Sequence, residues 1–289
     1  MKSFTALEFA LVFAVAAIDR AWAWGNVGHE TIGSVSIRSF ISSETTSFVQ
    51  TSLGSTYNES LGVAATWADT VKYETAYEYS KPYHFIDAED SPLSDSCSVE
   101  LSRDCGDEGC IISAIQNYTE RLMETSLSAT QRQEALKFVT HFLGDISQPL
   151  HVENYEVGGN DIDATCDGKS TNLHAVWDTG MLVKSVDANY DNDVQTYAAE
   201  LVTRIKTGEY KSLASGWVTC ITDSALDGTS CPLVWAKEAN AYDCSTVFDY
   251  TKGDDLCETS YYTTAIPIID LQLAKSGYRL AKWLDTMAL

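Results

Sequence analysis

Basic residues are scarce in this 289-residue chain: Lys and Arg number 19 against 41 Asp and Glu, and the net charge is −22. The charged residues of the first twenty, Lys2, Glu8, Asp19 and Arg20, cancel, so the value is the same without them. Such a balance excludes a protein that grips nucleic acid through a basic groove, but not one that grips phosphate through metal. Long apolar runs are also missing. The run from Phe9 to Ile18 covers ten residues, against the roughly 20 that a membrane-spanning helix needs. No internal repeat, low-complexity tract, phosphate-binding glycine loop or Ser-His-Asp arrangement is present, which removes solenoids, P-loop enzymes and serine hydrolases from consideration. Strand signals are few. With 45% hydrophobic residues and only 5 prolines, the chain can bury a large core as one sizeable domain or two tight ones. The stretches near 87–109, 152–171 and 216–232 read as loops decorating one mainly α-helical domain rather than as linkers.

What is present begins with a leader. The Phe9–Ile18 run lies behind Lys2 and ahead of Ala21-Trp22-Ala23, an A-x-A cleavage pattern, so residues 1–23 read as a secretory signal peptide and the protein is expected outside the cell without a membrane anchor. Cleavage after Ala23 makes Trp24 the amino terminus, where a free α-amine and the adjacent carbonyl oxygen can chelate a metal together. All eight cysteines follow the leader, and an even count in an oxidising compartment predicts disulfides rather than thiolate ligands. Asn58-Glu59-Ser60 and Asn117-Tyr118-Thr119 are glycosylation sequons. No obligate protein partner is evident.

The chemistry concentrates in His141-Phe142-Leu143-Gly144-Asp145, followed by Pro149-Leu150-His151. Apolar residues at a 3.6-residue period predict a helix from Glu134 to Leu143 that Pro149 ends. On a helix His141 and Asp145 rise from one face a turn apart and can reach a common point, whereas His151, beyond the proline, is displaced from that axis and can serve a neighbouring ion. His174-x3-Asp178 repeats the pair. One His on an apolar face is more often a satisfied core histidine; two such pairs with a third His between them are how facing helices build a metal site. His29, Asp69 and His84 complete the inventory, His29 opening a helical stretch to about Gln50, Asp69 lying in a helix that runs towards Tyr79, and Pro82–Asp87 reading as loop or isolated strand. Helical periodicity also marks 111–124, 194–207 and 268–286.

Trp24-x4-His29, Trp67-Ala68-Asp69, Tyr83-His84-Phe85-Ile86-Asp87, the His141–His151 segment, Asn172-Leu173-His174-x2-Trp177-Asp178 and Leu271-Gln272-Leu273-Ala274-Lys275-x-Gly277-Tyr278 together resemble the zinc-dependent single-strand nucleases and 3′-nucleotidases, related in fold to the zinc phospholipases C. The resemblance covers the whole chain from 24 to 289. It implies a mainly α, single helical domain with long disulfide-linked loops and three zinc ions. Asp69, His84, His141 and Asp145 would hold the first, Trp24 and His29 the second, bridged to the first by Asp145, and His151, His174 and Asp178 the third. Three dipositive ions among three carboxylates leave a local excess of about +3 in an acidic molecule.

The resemblance further implies that two ions share and activate a water and that the third binds the departing 3′ oxygen, leaving 5′-phosphate products from single-stranded DNA, RNA and 3′-nucleotides. Asp69 would orient that water. Lys72 would stabilise charge at phosphorus, although by itself it reads equally as a solvated helix-face lysine. Phe85 would stack on a nucleobase and Asp87 bond its edge, with Asn160 of Gly158-Gly159-Asn160 nearby; without the resemblance Phe85 reads as core. A site that needs an unstacked base prefers single strands. Lys169 stands where some relatives carry an aromatic residue. The implied disulfides are Cys105–Cys110 and Cys97–Cys244, with Cys220–Cys231 closing a local loop and Cys166–Cys257 the remaining pair. Two other readings are a zinc phospholipase C, whose ligand set usually ends in Glu where this chain has Asp178, and a catalytically silent secreted metal-binding protein.

Overall fold

Every residue of the eleven from Ala135 to Asp145 is buried, so the helix that carries them is surrounded rather than amphipathic, and its polar side chains must find partners inside. The computed structural model describes residues 24–222, 226, 228–287 and 289, with Arg38 described by its backbone alone; the expected leader, 1–23, lies outside them. The helices are α1 (Asn26–Ser39), α2 (Ser43–Leu53), α3 (Leu61–Ala65), α4 (Trp67–Val71), α5 (Leu101–Asp104), α6 (Ile111–Met123), α7 (Ala129–Asp145), α8 (Leu173–Ala175), α9 (Met181–Tyr190), α10 (Val194–Lys206), α11 (Ser230–Tyr242) and α12 (Ser260–Thr286). The fold is mainly α. α7 is the axis, packed by α6, α3, α12, α1, α2 and α4, and one contiguous apolar cluster runs through the molecule.

Several boundaries differ from those the sequence predicts, each for a local reason. α7 begins at Ala129 rather than Glu134, because Ser128 and Gln131 form a capping box: Ser128 Oγ accepts from Gln131 N (3.3 Å) and Gln131 Oε1 from Ser128 N (3.1 Å). It ends at Asp145, and Pro149 opens a separate 3-10 turn, Pro149–Val152. The stretch from His29 to Gln50 is two helices, since Ser42 starts α2 by accepting from Thr45 N. α4 stops at Val71, and a 3-10 turn from Glu78 to His84 precedes extended backbone at Phe85. α12 starts eight residues before Ile268 and runs through Pro267; the proline and Thr263, whose carbonyl loses its donor, are both exposed, on the side of the helix where an unpaired carbonyl costs least.

Within 152–171 the expected loop holds an antiparallel hairpin, β1 (Asp163–Cys166) and β2 (Lys169–Asn172), with Cys166 opposite Lys169. Its two-residue turn is Asp167-Gly168 at φ 51° and 71°, the Asp-Gly pair that a type I′ turn selects. Cys97 is bonded to Cys244, Cys105 to Cys110, Cys166 to Cys257 and Cys220 to Cys231, the pairs set out above. Among the described residues no helix is long and apolar enough to cross a membrane.

Candidate metal centre

Five histidines and three aspartates from six parts of the chain converge beside the end of α7. His29 comes from the first turn of α1, Asp69 from α4, His84 from the end of the 3-10 turn, His141 and Asp145 from α7, His151 from the turn after Pro149, His174 from α8, and Asp178 from the π-helical segment Val176–Gly180 that continues it. The two oxygens of Asp145 face different rings: Oδ1 lies 3.1 Å from His29 Nε2, and Oδ2 lies 2.9 Å from His84 Nδ1 and 3.1 Å from His141 Nε2. Asp69 Oδ1 is 3.6 Å from His141 Nε2 and 3.7 Å from His84 Nδ1. On the other side Asp178 stands 3.0 Å from His174 Nε2 and 3.6 Å from His151 Nε2.

Ring orientation is set by backbone carbonyls. His141 Nδ1 donates to Ala65 O (2.6 Å), His151 Nδ1 to His84 O (2.8 Å) and His174 Nδ1 to Gly158 O (2.7 Å). In the neutral imidazole each bond fixes the tautomer and leaves the Nε2 lone pair for a metal. Gly158 has φ +58°, and a β-carbon there would meet Leu150 O at 2.5 Å, so only glycine lets that carbonyl reach His174. Trp24, fully buried, donates its indole N–H to Gly144 O and Ser147 Oγ, both at 3.1 Å, while Gly25 N donates to Asp178 O. Residues 24 and 25 are thereby tied to both sides of the cluster.

Donor atoms fall into three groups, each within 4.8 Å: His29, His141 and Asp145; Asp69, His84 and His141; His151, His174 and Asp178. The third is the set the resemblance implies. In the first two, His141 belongs to both, because its ring stacks on His29 with centroids 3.8 Å apart. Buried polar atoms without a hydrogen-bond partner occur on six of these side chains: His29, Asp69, His84, Asp145, His151 and Asp178. Buried polar groups are normally satisfied, and the open atoms that face one another across the cluster, His29 Nε2, Asp69 Oδ2, Asp145 Oδ1, His151 Nε2 and Asp178 Oδ2, are nitrogen and oxygen donors of the kind that a borderline divalent ion such as zinc takes.

Electrostatics agrees. Burial alone would push the Asp69 carboxyl up, but His141 and Lys72 hold it far below the usual range; burial likewise opposes, and His141 and His29 outweigh it, at Asp145. Asp178 is held down against burial by His174 and His151. Burial pushes the His84 imidazole down to about 3, whereas at His141 the two aspartates overcome burial and push it up to about 10. The cluster thus keeps its carboxylates ionised and attracts positive charge.

A cavity of about 250 Å³ opens on this cluster, and its lining contains His84, His151 and His174 together with Lys72, Phe85, Asp87 and Asn160. Lys72 Nζ donates to Asp69 Oδ1 at 2.7 Å. Phe85 is 38% exposed, not core. Burial, then Glu89 and Asp104, push the Asp87 carboxyl up. Asn160 donates to Val157 O. Val157, a lining residue 60% exposed at φ +57°, is not among the expected site residues. A β-branched residue in that region is strained, and only the Gly158-Gly159 pair beside it signals the tight backbone. Tyr73, Lys81 and Glu153 also line the cavity unforeseen; Lys169, exposed on β2, does not line it.

The S1/P1 nuclease family model matches residues 24–288. Nuclease S1 of Aspergillus oryzae is 48% identical over 278 residues, 95% of this chain and 95% of its own. Nuclease P1 of Penicillium citrinum is 42% identical over 266 residues, 91% of this chain and 97% of its own. Endonuclease 2 of Arabidopsis thaliana is 30% identical over 285 residues, 95% and 93%.

Proposed function

The chain belongs to the S1/P1 nuclease family, and from that premise we propose that it hydrolyses phosphodiester bonds of single-stranded DNA and RNA, and 3′-nucleotides, to 5′-phosphate products. The observation that carries this reading is the cluster of open, buried donors in three groups at the floor of a cavity lined by Phe85 and Asp87. Three zinc ions fit them: Asp69, His84, His141 and Asp145 for one, Trp24, His29 and Asp145 for another, and His151, His174 and Asp178 for the last. The two-sided placement of Asp145, one oxygen towards His29 and the other towards His84 and His141, favours a bridging role. Bound there, the ions would supply Lewis acidity and a water acidic enough to act near neutral pH.

The chain's own residues do the rest. Lys72, its charge secured by Asp69, presents an ammonium to the cavity, where it offsets negative charge growing on phosphate oxygens. Asp69 stays a carboxylate able to orient a water. Phe85 offers a ring face, Val157 an apolar wall, and Asp87 an edge contact for one base, which a duplex supplies only after unpairing. We read residues 1–23 as a secretory leader and 24–289 as the nuclease domain; the buried Trp24 indole supports a metal-binding role for that residue once its amine is free.

The test is the protein collected from the medium, its amino terminus and zinc content measured, assayed on a single-stranded oligonucleotide, its duplex, a 3′-nucleotide and phosphatidylcholine, with and without chelator. Chelator-sensitive cleavage favouring single strands, by protein that begins at Trp24 with three zinc per chain, is expected. Turnover of the lipid alone would make it a phospholipase C, and full zinc content with no turnover a silent metal-binding protein.

A further inference from the structure

On the far side of the 3-10 turn from the metal cluster lies a second cleft of about 240 Å³, lined by Tyr79, Tyr83, Asn117, Tyr118, Arg121 and Glu134. Tyr79 is 53% exposed, and its ring lies edge-on to Tyr83 at 6.0 Å while its hydroxyl meets that of Tyr118 at 3.4 Å. Tyr118 is itself clamped by stacking on Phe138 at 4.3 Å. The aromatic wall is therefore rigid at its base and open at its rim. Asn117 and Arg121 make no side-chain hydrogen bond or ion pair among the described residues, and Glu134 already accepts from Tyr77 Oη.

Asn117 opens the sequon Asn117-Tyr118-Thr119 and stands exposed on α6. The chemistry of the cleft suits a neutral polyhydroxylated ligand: ring faces for the C–H side of a sugar, a guanidinium donor and a carboxylate acceptor for its hydroxyls. A phosphate strand suits it less, since Glu134 cancels Arg121. A sugar carried by Asn117 would be tethered to its wall. Taking the Asn117 sequon as glycosylated, we propose that the first sugars of its glycan dock in the Tyr79–Tyr83 cleft. The inference rests on the secretory reading above. In that route the Asn117 carboxamide nitrogen gives up a proton and bonds to the anomeric carbon of an oligosaccharide carried on a polyisoprenyl pyrophosphate, whose C–O bond to phosphate breaks. Asn58, on an exposed turn at φ 51°, lies outside this cleft and serves as the internal comparison.

The test is native enzymatic deglycosylation of the secreted protein, followed by peptide mass, with denatured protein as reference. At Asn117 release from the native protein should be at least about tenfold slower than from the denatured, a protection of about 1.4 kcal/mol, and Tyr79→Ala should abolish the difference while leaving zinc content and oligonucleotide KM unchanged. Equal release rates in native and denatured protein would overturn the docking. Exported protein beginning at Trp24 with Asn117 unmodified would overturn the site, whereas a chain retained in the cell with both sequons bare would remove the secretory reading instead. A raised oligonucleotide KM in Tyr79→Ala would assign the cleft to the substrate strand and overturn the proposal.

Discussion

Gly144 and His29 are packed so closely that a β-carbon at residue 144 would lie 3.1 Å from His29 Nδ1 and 3.0 Å from Ile32 Cδ1. The absent side chain lets α1 approach α7 and brings the His29 ring onto His141. Gly144→Ala should push that ring by a few tenths of an ångström, lowering zinc affinity about tenfold, as disturbed ligand orientation does, while thermal unfolding stays cooperative. Competitive chelator titration measures the affinity; an unchanged value would show that the packing does not set the ligand.

On the proposed function, Lys72 offers charge without holding metal. Lys72→Gln should lower kcat by about 10²–10³, the range for losing one donor to developing anionic charge, with zinc content intact and KM within a few fold. Loss of zinc alongside activity would make its role support of Asp69 instead.

Phe85 and Val157 are exposed apolar residues at the cavity mouth. Phe85→Ala should raise oligonucleotide KM about tenfold or more, since a stacked base is worth about 1–3 kcal/mol, with the melting point unchanged. Val157→Gly should raise KM too, yet increase stability by up to about 1 kcal/mol, because glycine relieves the positive φ. A destabilised Val157→Gly protein would contradict the strain.

Asp104 provides the cleanest pH signature. Its carboxylate accepts from Glu89 N (3.1 Å), Glu100 N (2.7 Å) and Arg103 Nε (2.5 Å); burial opposes, but these partners lower its pKa. A depressed folded value means stability that is fully present above the unfolded carboxylate pKa and lost as pH falls through the folded one. Asp104→Asn should cost about 1–3 kcal/mol near neutrality, and its difference from the parent should close below about pH 4. Denaturant titration of both proteins as apo forms reads this; a gap constant down to pH 3 would mean that the bonds do not depend on charge.

The net charge of −22 repels a polyanion. Added salt should raise kcat/KM on a long single strand more than on a mononucleotide, the opposite of a basic-groove protein, whose affinity falls steeply with salt. A falling rate on the long strand would require a local basic path that outweighs the net charge.

The His-x3-Asp pairs were legible because helix geometry alone brings i and i+4 together, and the family motifs supplied the rest of the donor set. Spacing could not reveal that His141 stacks on His29, a tertiary contact made possible by Gly144. Two misses had local signals: Ser128-x-x-Gln131 marks the true start of α7, and Asp167-Gly168 marks the hairpin. Val157 had none in its own identity, because its positive φ belongs to a turn closed by bonds from Val157 N to Asn154 O and from Asn160 N to Val157 O, which any residue could make. The exposure of Phe85 likewise depends on which elements fail to cover it.

The carbonyls of Ala65, His84 and Gly158 aim three of the imidazoles, and a carbonyl is common to all twenty amino acids. Point substitution at residues 65 and 84 leaves that part of the aiming apparatus in place, so its heritable vulnerability is concentrated at Gly158, where backbone geometry and residue identity cannot be separated. A lineage diversifying this scaffold is free to vary what the cavity reads while its metal floor drifts little, and random mutagenesis should recover specificity changes far more often than changes in how the rings are held.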